Sequence, residues 1–101
     1  MVILGSTGML GQALMNIAKS NNIKVTGVAR SNADINLDIV DFDKLTLFLR
    51  KKKPKIIINC IAITDINLCE NDTELAYQVN AYLVSVLVDT CRELDIYLIH
   101  I

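Results

Sequence analysis

Three glycines, Gly5, Gly8 and Gly11, set three residues apart in Gly5-Ser6-Thr7-Gly8-Met9-Leu10-Gly11, are the residues of this 101-residue chain best suited to hold an anion. Each position has a mechanical use. The first glycine permits a tight turn out of a strand. The second lets backbone approach a pyrophosphate, and the third lets a helix pack closely on a strand. Peptide N–H groups at the start of the following helix then face the phosphates, aided by the helix dipole. The spacing alone is weak, and a glycine-rich turn without a ligand is the plain alternative. The context decides: apolar Val2-Ile3-Leu4 precedes the motif and a helical pattern follows it, as a dinucleotide-binding turn requires. No Gly-Lys-Ser/Thr ending is present, so this is not the loop of a nucleoside-triphosphate site.

A second residue speaks to the choice of dinucleotide. A carboxylate at the end of the second strand hydrogen-bonds the adenosine ribose 2′-hydroxyl, whereas an arginine accommodates a 2′-phosphate. Here that stretch reads Val28-Ala29-Arg30-Ser31, without an acid. An aspartate would repel a phosphate dianion and Arg30 attracts it. The expected cofactor is therefore NADP(H), with NAD(H) the alternative and a merely solvated arginine the bland reading. A methyltransferase-like sheet would want an acid there to hold ribose hydroxyls.

Other chemistry-bearing residues read more plainly. Cys60, Cys69 and Cys91 are odd in number, show no Cys-x-x-Cys spacing and have only His100 as an imidazole partner. No metal site is expected, and the thiols read as reduced, in a cytoplasmic protein. Lys51-Lys52-Lys53-Pro54-Lys55 reads as the solvated end of a helix, with cations complementing the dipole and proline stopping the run. His100 falls in a strand pattern and reads as a packed or hydrogen-bonded side chain. Asp65, Glu70 and Asp72 read as a solvated acidic loop.

The elements that position these residues alternate along the chain. Residues 1–4 read as a first strand, and 9–21 as a helix on which Leu10, Leu14, Ile17 and Ala18 recur at helical spacing, ended by Asn21-Asn22. Residues 23–29 read as a second strand and 34–37 as a brief third. Asp41 offers an N-cap to a helix carrying Leu45, Phe48 and Leu49 that Pro54 stops. Residues 55–59 read as a fourth strand. A long helix over 73–94, with Leu75, Val79, Leu83, Val86 and Leu87 inward, leads to a last strand over 96–101. The order implies an α/β fold, a Rossmann-type parallel sheet ordered 3-2-1-4-5 with right-handed crossovers and helices on both faces.

The connection before the third strand is too short for a helix, so that strand should be very short. One sheet face should lie bare over 56–63 and 96–101, which favours self-association. The chain is 52% hydrophobic with mean hydropathy +0.41. No apolar run reaches the roughly 18 residues a membrane span needs, so no membrane partner is expected. Met1 runs straight into Val2-Ile3-Leu4, so no signal peptide is expected. A net charge of −1 and a pI near 5.7 argue against a nucleic-acid partner.

These segments carry a resemblance. Residues 5–11, then Leu37-Asp38-Ile39-Val40-Asp41, Ile58-Asn59-Cys60-Ile61-Ala62-Ile63-Thr64, Cys69-Glu70-Asn71 and Glu74-Leu75-Ala76-Tyr77-Gln78-Val79-Asn80-Ala81 follow one another at the spacing of extended short-chain dehydrogenase/reductases. The pattern most resembles the dTDP-4-dehydrorhamnose reductase family and its sugar-nucleotide-binding relatives. It covers essentially the whole chain, and residues 59–81 are its most specific part. The resemblance implies that Gly8, Met9 and Leu10 contact pyrophosphate through backbone. It implies that Asp38 reaches the exocyclic amine of adenine and that Ile39 packs on its ring. Cys60, Ile61, Ala62 and Ile63 would line the ribose and nicotinamide side, with Asn80 supporting the active site from behind.

The implied activity is reduction of a keto group on a nucleotide-linked deoxysugar by NAD(P)H, with a tyrosine as proton donor and a lysine lowering its pKa. This chain departs from the pattern: Cys60 and Asn67-Leu68 replace an alanine-rich run and an Asp-Lys pair, which leaves the sugar open. The family's Ser/Thr beyond His100-Ile101 and its Tyr-x-x-x-Lys pair are absent, since none of Tyr77, Tyr82 and Tyr97 has a lysine four residues on. Residues 1–101 are thus expected to be one NAD(P)-binding domain of a longer reductase, inactive alone. It would carry no catalytic residue, and would meet a nucleotide sugar only together with a further C-terminal part. The alternative is a non-catalytic, dinucleotide-sensing subunit of the same fold, as in the methionine adenosyltransferase regulatory subunit.

Overall fold

The computed structural model describes residues 1–61 and 81–101. Its centre is β1 (Val2–Leu4), buried along its whole length. A strand flanked on both sides and covered on both faces has no polar position to offer, so an unbroken apolar triplet is what that place demands. On one side it pairs with β2 (Thr26–Ala29), which pairs in turn with β3 (Ile35–Asn36). On the other lies β4 (Ile56–Asn59) and then β5 (Tyr97–His100). All pairs are parallel, in the order β3-β2-β1-β4-β5. The expected sheet order and the very short third strand are both present.

Three helices connect the described strands. α1 (Met9–Ser20) follows the glycine turn, and its end is set by Asn21 and by Asn22 at φ 58°. α2 (Phe42–Lys52) starts at Asp41, whose carboxylate accepts the N–H of Lys44 at 3.2 Å. Asp43 lies in its first turn and Arg50, Lys51 and Lys52 in its last, each sign matched to the nearer end of the dipole. Lys53 closes it in a left-handed conformation, φ 46°, with its N–H on the Leu49 carbonyl, and Pro54 follows, buried. α3 (Leu83–Leu94) ends at Asp95. The earlier part of the long helix expected from residue 73 lies outside the described residues.

The faces follow from the register. Val2, Leu4, Val28 and Ile57 pack with Leu45 and Leu49 of α2 and with Leu83, Leu87 and Cys91 of α3 in one buried cluster. Val86, expected inward beside Leu87, is only half-buried. Arg50 and Glu93 join α2 to α3 through two 2.8 Å hydrogen bonds. That pairing holds the arginine's pKa up and the glutamate's down, but both side chains are solvent-exposed and the bond is a clasp rather than a source of much stability.

α1 covers the opposite face, and here the structure corrects the expected stripe. Gly11, Met15 and Ala18 are buried, while Leu14 is half-buried and Leu10 and Ile17 are exposed, Ile17 by 58%. The rotation of the helix is set by Gly11, whose bare Cα must rest on the glycine turn, and not by the largest apolar side chains. Beyond α1 on this face, Ile56 and Ile58 of β4 pair with Tyr97 and Ile99 of β5. Tyr97 is 69% exposed, and Ile56 and Ile99 are exposed as well.

Among the described residues no helix is long and apolar enough to cross a membrane. The cap of α2 supplies a direct test of how this fold is held. Asp41→Ala should lower unfolding stability by about 1 kcal/mol in urea titration, and Asp41→Asn by much less. Equal stability of all three proteins would remove the cap from the account.

Candidate functional site: a glycine turn beside a cleft

At Gly5 the chain leaves β1 with φ +79°, a conformation that L side chains rarely adopt. The turn is then fastened to its neighbour strand. The N–H groups of Gly5 and Ser6 both donate to the carbonyl of Val28, at 2.8 and 3.2 Å. Gly8 N–H returns to the Gly5 carbonyl at 3.2 Å, and the Gln12 side-chain amide donates to the Thr7 carbonyl at 2.8 Å.

The glycines do different work. A Cβ on Gly11 would lie 2.0 Å from the Gly5 carbonyl oxygen and 2.8 Å from Ser6 Cα, so no side chain fits there. The contact is with the turn rather than with a strand. A Cβ on Gly8 would meet only the Gly5 oxygen, at an ordinary 3.5 Å. Gly8 is thus free of the fold's own demands and borders open space. It is also the N-cap of α1, so it offers no side-chain acceptor, and no acid stands in the first turn. The N–H groups of Met9, Leu10 and Gly11 stand in that turn, where the helix itself supplies no acceptor. The positive end of α1 is left without a side-chain acceptor of its own.

Beside the turn is a cleft of about 190 Å³ at the carboxyl ends of the strands. Gly5, Arg30, Asp38, Ile39 and Ile61, all expected to touch cofactor, line it together although they come from four separate stretches of chain. Arg30 stands exposed at the end of β2. Asp38 is held by its own turn, its carboxylate accepting the Val40 N–H at 3.2 Å. Thr7, Ala29 and Leu37 complete the lining and were not anticipated. A larger cleft of about 430 Å³ borders α1 and the β2–β3 connection. It is polar and includes Gln12, Lys19 and Asn32, and none of the residues expected to bind cofactor lines it.

Ile61, two residues past the end of β4, borders the smaller cleft. Asn59 is wholly buried; its Oδ1 accepts the Ile61 N–H and its Nδ2 lies 3.1 Å from Nδ1 of His100. Because Oδ1 is the atom facing an N–H, Nδ2 must donate, which places the imidazole proton on Nε2. His100 is hydrogen-bonded, as expected. Cys60 does not line the cleft, but its N–H donates to the Leu4 carbonyl at 2.9 Å. A Cβ on Gly5 would sit 3.2 Å from its carbonyl group, so its backbone abuts the turn. Burial pushes the Cys60 thiol up, which disfavours the thiolate. Ala62, Ile63 and Asn80, and the acidic loop, lie outside the described residues.

One structural residue escaped the sequence reading. A Cβ on Gly27, inside β2, would come within 2.7 Å of the Ser6 side chain, so the glycine turn rests on a second bare Cα. The available signal was a glycine within a strand, which marks a close approach.

A parallel sheet ordered 3-2-1-4-5, with helices on both faces and a glycine turn after its first strand, defines a Rossmann-type α/β domain. The chain belongs to the RmlD substrate binding domain family, which it matches over residues 1–101. It is 33% identical over 100 residues to a dTDP-4-dehydrorhamnose reductase of Mycolicibacterium smegmatis, covering 99% of this chain and 29% of that protein. A more distant relative is methionine adenosyltransferase 2 subunit beta of Xenopus laevis, 28% identical over 99% of this chain and 31% of its own length.

Among solved structures, a hypothetical dTDP-4-dehydrorhamnose reductase from Sulfolobus tokodaii superposes with a TM-score of 0.88 at 36% identity, over 98% of this chain and 37% of that one. The dTDP-4-dehydrorhamnose reductase of Bacillus anthracis, in complex with NADP, shares the fold with a TM-score of 0.82 at 24% identity, over 96% and 34% of the two chains. The chain thus spans about a third of the length of the proteins it matches.

The two kinds of glycine make opposite predictions. Gly11→Ala should cost about 1–3 kcal/mol or more, because its Cβ meets backbone that cannot give way. Gly8→Val should cost at most about 1 kcal/mol, the loss of a favoured cap residue, yet abolish dinucleotide binding by filling the open side of the turn. Urea midpoints and a binding titration check both. A stable Gly11→Ala protein, or a Gly8→Val protein that binds normally, would contradict the assignment.

Proposed function

We propose that this chain is the cofactor-binding part, one domain over residues 1–101, of an oxidoreductase that reduces a keto group on a nucleotide-linked deoxysugar, and that its cofactor is NADP(H). The observation that carries the reading is the single cleft joining the glycine turn to Arg30, Asp38 and Ile39 at the carboxyl ends of the strands. Ligands of open α/β sheets bind in that place, outside the strand ends where the strand order reverses. The residues fit a dinucleotide: Gly8 leaves room, and the uncapped start of α1 presents N–H groups to pyrophosphate. Asp38 and Ile39 hold adenine, Arg30 pairs with the 2′-phosphate, and Cys60 and Ile61 border the ribose and nicotinamide.

When bound, the reduced dinucleotide supplies a hydride to the keto carbon. The chain's own residues bind and orient the dinucleotide. The sugar class rests on the kinship with dTDP-4-dehydrorhamnose reductases. The setting is cytoplasmic, with thiols kept reduced. A net charge of −1 gives no footprint for nucleic acid. The likeness to a methionine adenosyltransferase subunit supports a second reading, a dinucleotide sensor that binds without turnover.

Fluorescence titration should find NADPH bound more tightly than NADH by about tenfold or more, the worth of a hydrogen-bonded charge pair. Arg30→Asp should reverse that preference. Equal affinities, or tighter NADH, would remove Arg30 from the account. The apolar strip of Ile56, Ile58, Tyr97 and Ile99 makes the isolated chain self-associate. Sedimentation at micromolar concentration should show a dimer or larger species, and a well-behaved folded monomer would contradict it.

A further inference from the structure

The connection that carries Arg30 is short, and its conformation is fixed by an unusual sheet bond. Along β2, Thr26 N–H donates to the Met1 carbonyl and the Val28 carbonyl accepts from the turn after β1, so these residues face β1. Gly27 and Ala29, between and beyond them, face β3, and Ala29 duly accepts the Leu37 N–H at 2.8 Å. At Gly27, however, β3 has not begun, since its first pair is Val28 with Ile35. A buried strand N–H must find an acceptor. The Asp34 carboxylate supplies it, with Oδ2 2.8 Å from the Gly27 nitrogen.

That bond reaches from residue 34 back to residue 27 and draws the intervening chain tight. Within it, Asn32 is left-handed at φ 55°, and Ala33 N–H donates to the Asn36 side chain at 3.1 Å. Gly27 is also the residue on which Ser6 rests. One carboxylate therefore ties together the floor of the glycine turn and the connection that holds Arg30 on the rim of the cleft. A carboxylate near a phosphate subsite is electrostatically adverse, so geometry, not charge, is what it contributes.

We propose that Asp34 is a positioning residue for 2′-phosphate recognition: through Gly27 it sets the course of residues 30–34 and with it the place of Arg30. The inference rests on the reading of Arg30 given above. Adenosine 2′,5′-bisphosphate and adenosine 5′-monophosphate, titrated calorimetrically into the full chain, isolate the 2′-phosphate from the nicotinamide end. Wild type should favour the bisphosphate by about tenfold or more. Asp34→Ala should lose most of that ratio, falling towards the value of Arg30→Ala. Asp34→Asn, which keeps an acceptor oxygen but removes the charge, should hold the ratio or raise it. If Asp34→Ala does not fold, Asp34→Glu, which displaces the acceptor and keeps the charge, takes its place with the same expected loss.

An Asp34→Ala protein with the wild-type ratio overturns the proposal, and so does any parallel change in Asp34→Ala and Asp34→Asn. A wild-type ratio near one faults the Arg30 reading instead, and amide exchange then decides the positioning claim. Gly27 should be protected in wild type and Asp34→Asn and exchange faster in Asp34→Ala. Equal protection in all three would overturn it.

Discussion

The Val28 carbonyl accepts two N–H groups, those of Gly5 and Ser6, and much of this structure depends on that capture. It turns the chain sharply where β1 ends and holds the turn against the second strand. The turn then becomes a surface on which other elements rest. Gly11 lies on the Gly5–Ser6 backbone, Ser6 lies on Gly27, and the Cys60 carbonyl lies against Gly5. Three close approaches converge on two residues: a Cβ would clash at Gly11 and Gly27, and at Gly5 it would press on Cys60 while φ +79° itself calls for glycine. The start of α1 is aimed by these contacts, as is the end of β4.

On the proposed reading, backbone rather than side chains does the holding at this site. A helix start with a glycine cap and no acid in its first turn has N–H groups to offer and nothing of its own to satisfy them. The cleft alongside brings together an apolar wall from Ile39 and Ile61, an acid at Asp38 and a cation at Arg30. The cores on the two faces have a separate task. α2 and α3 bury one face of β1, β2 and β4, which keeps the strand ends in register so that stretches distant in sequence meet at the cleft.

Much of this was legible from local pattern. Short apolar runs announced the strands, Asp41 the start of α2 and Pro54 its end, and the glycine spacing the turn. The missing helix between β2 and β3 followed from a connection too short to hold one. What escaped depends on pairs far apart in sequence. The rotation of α1 is decided by Gly11 against Gly5, so Ile17, the better hydrophobe, faces out. The bond from Gly27 to Asp34 exists because β3 starts one residue late, which no periodicity reveals. The pairing of Asn59 with His100 spans 41 residues. Sequence pattern locates elements; it does not say which bare Cα touches which backbone.

The claim at the centre is that an adenine dinucleotide lies across the glycine turn and in the smaller cleft. Nuclear magnetic resonance of the nitrogen-15-labelled chain, titrated with NADPH, tests it residue by residue. The amide signals of Gly5, Gly8, Met9, Leu10 and Gly11 should move, together with those of Arg30, Asp38, Ile39 and Ile61. Shifts gathered instead around Gln12, Lys19 and Asn32, in the larger cleft, or no shifts at millimolar NADPH, would contradict it.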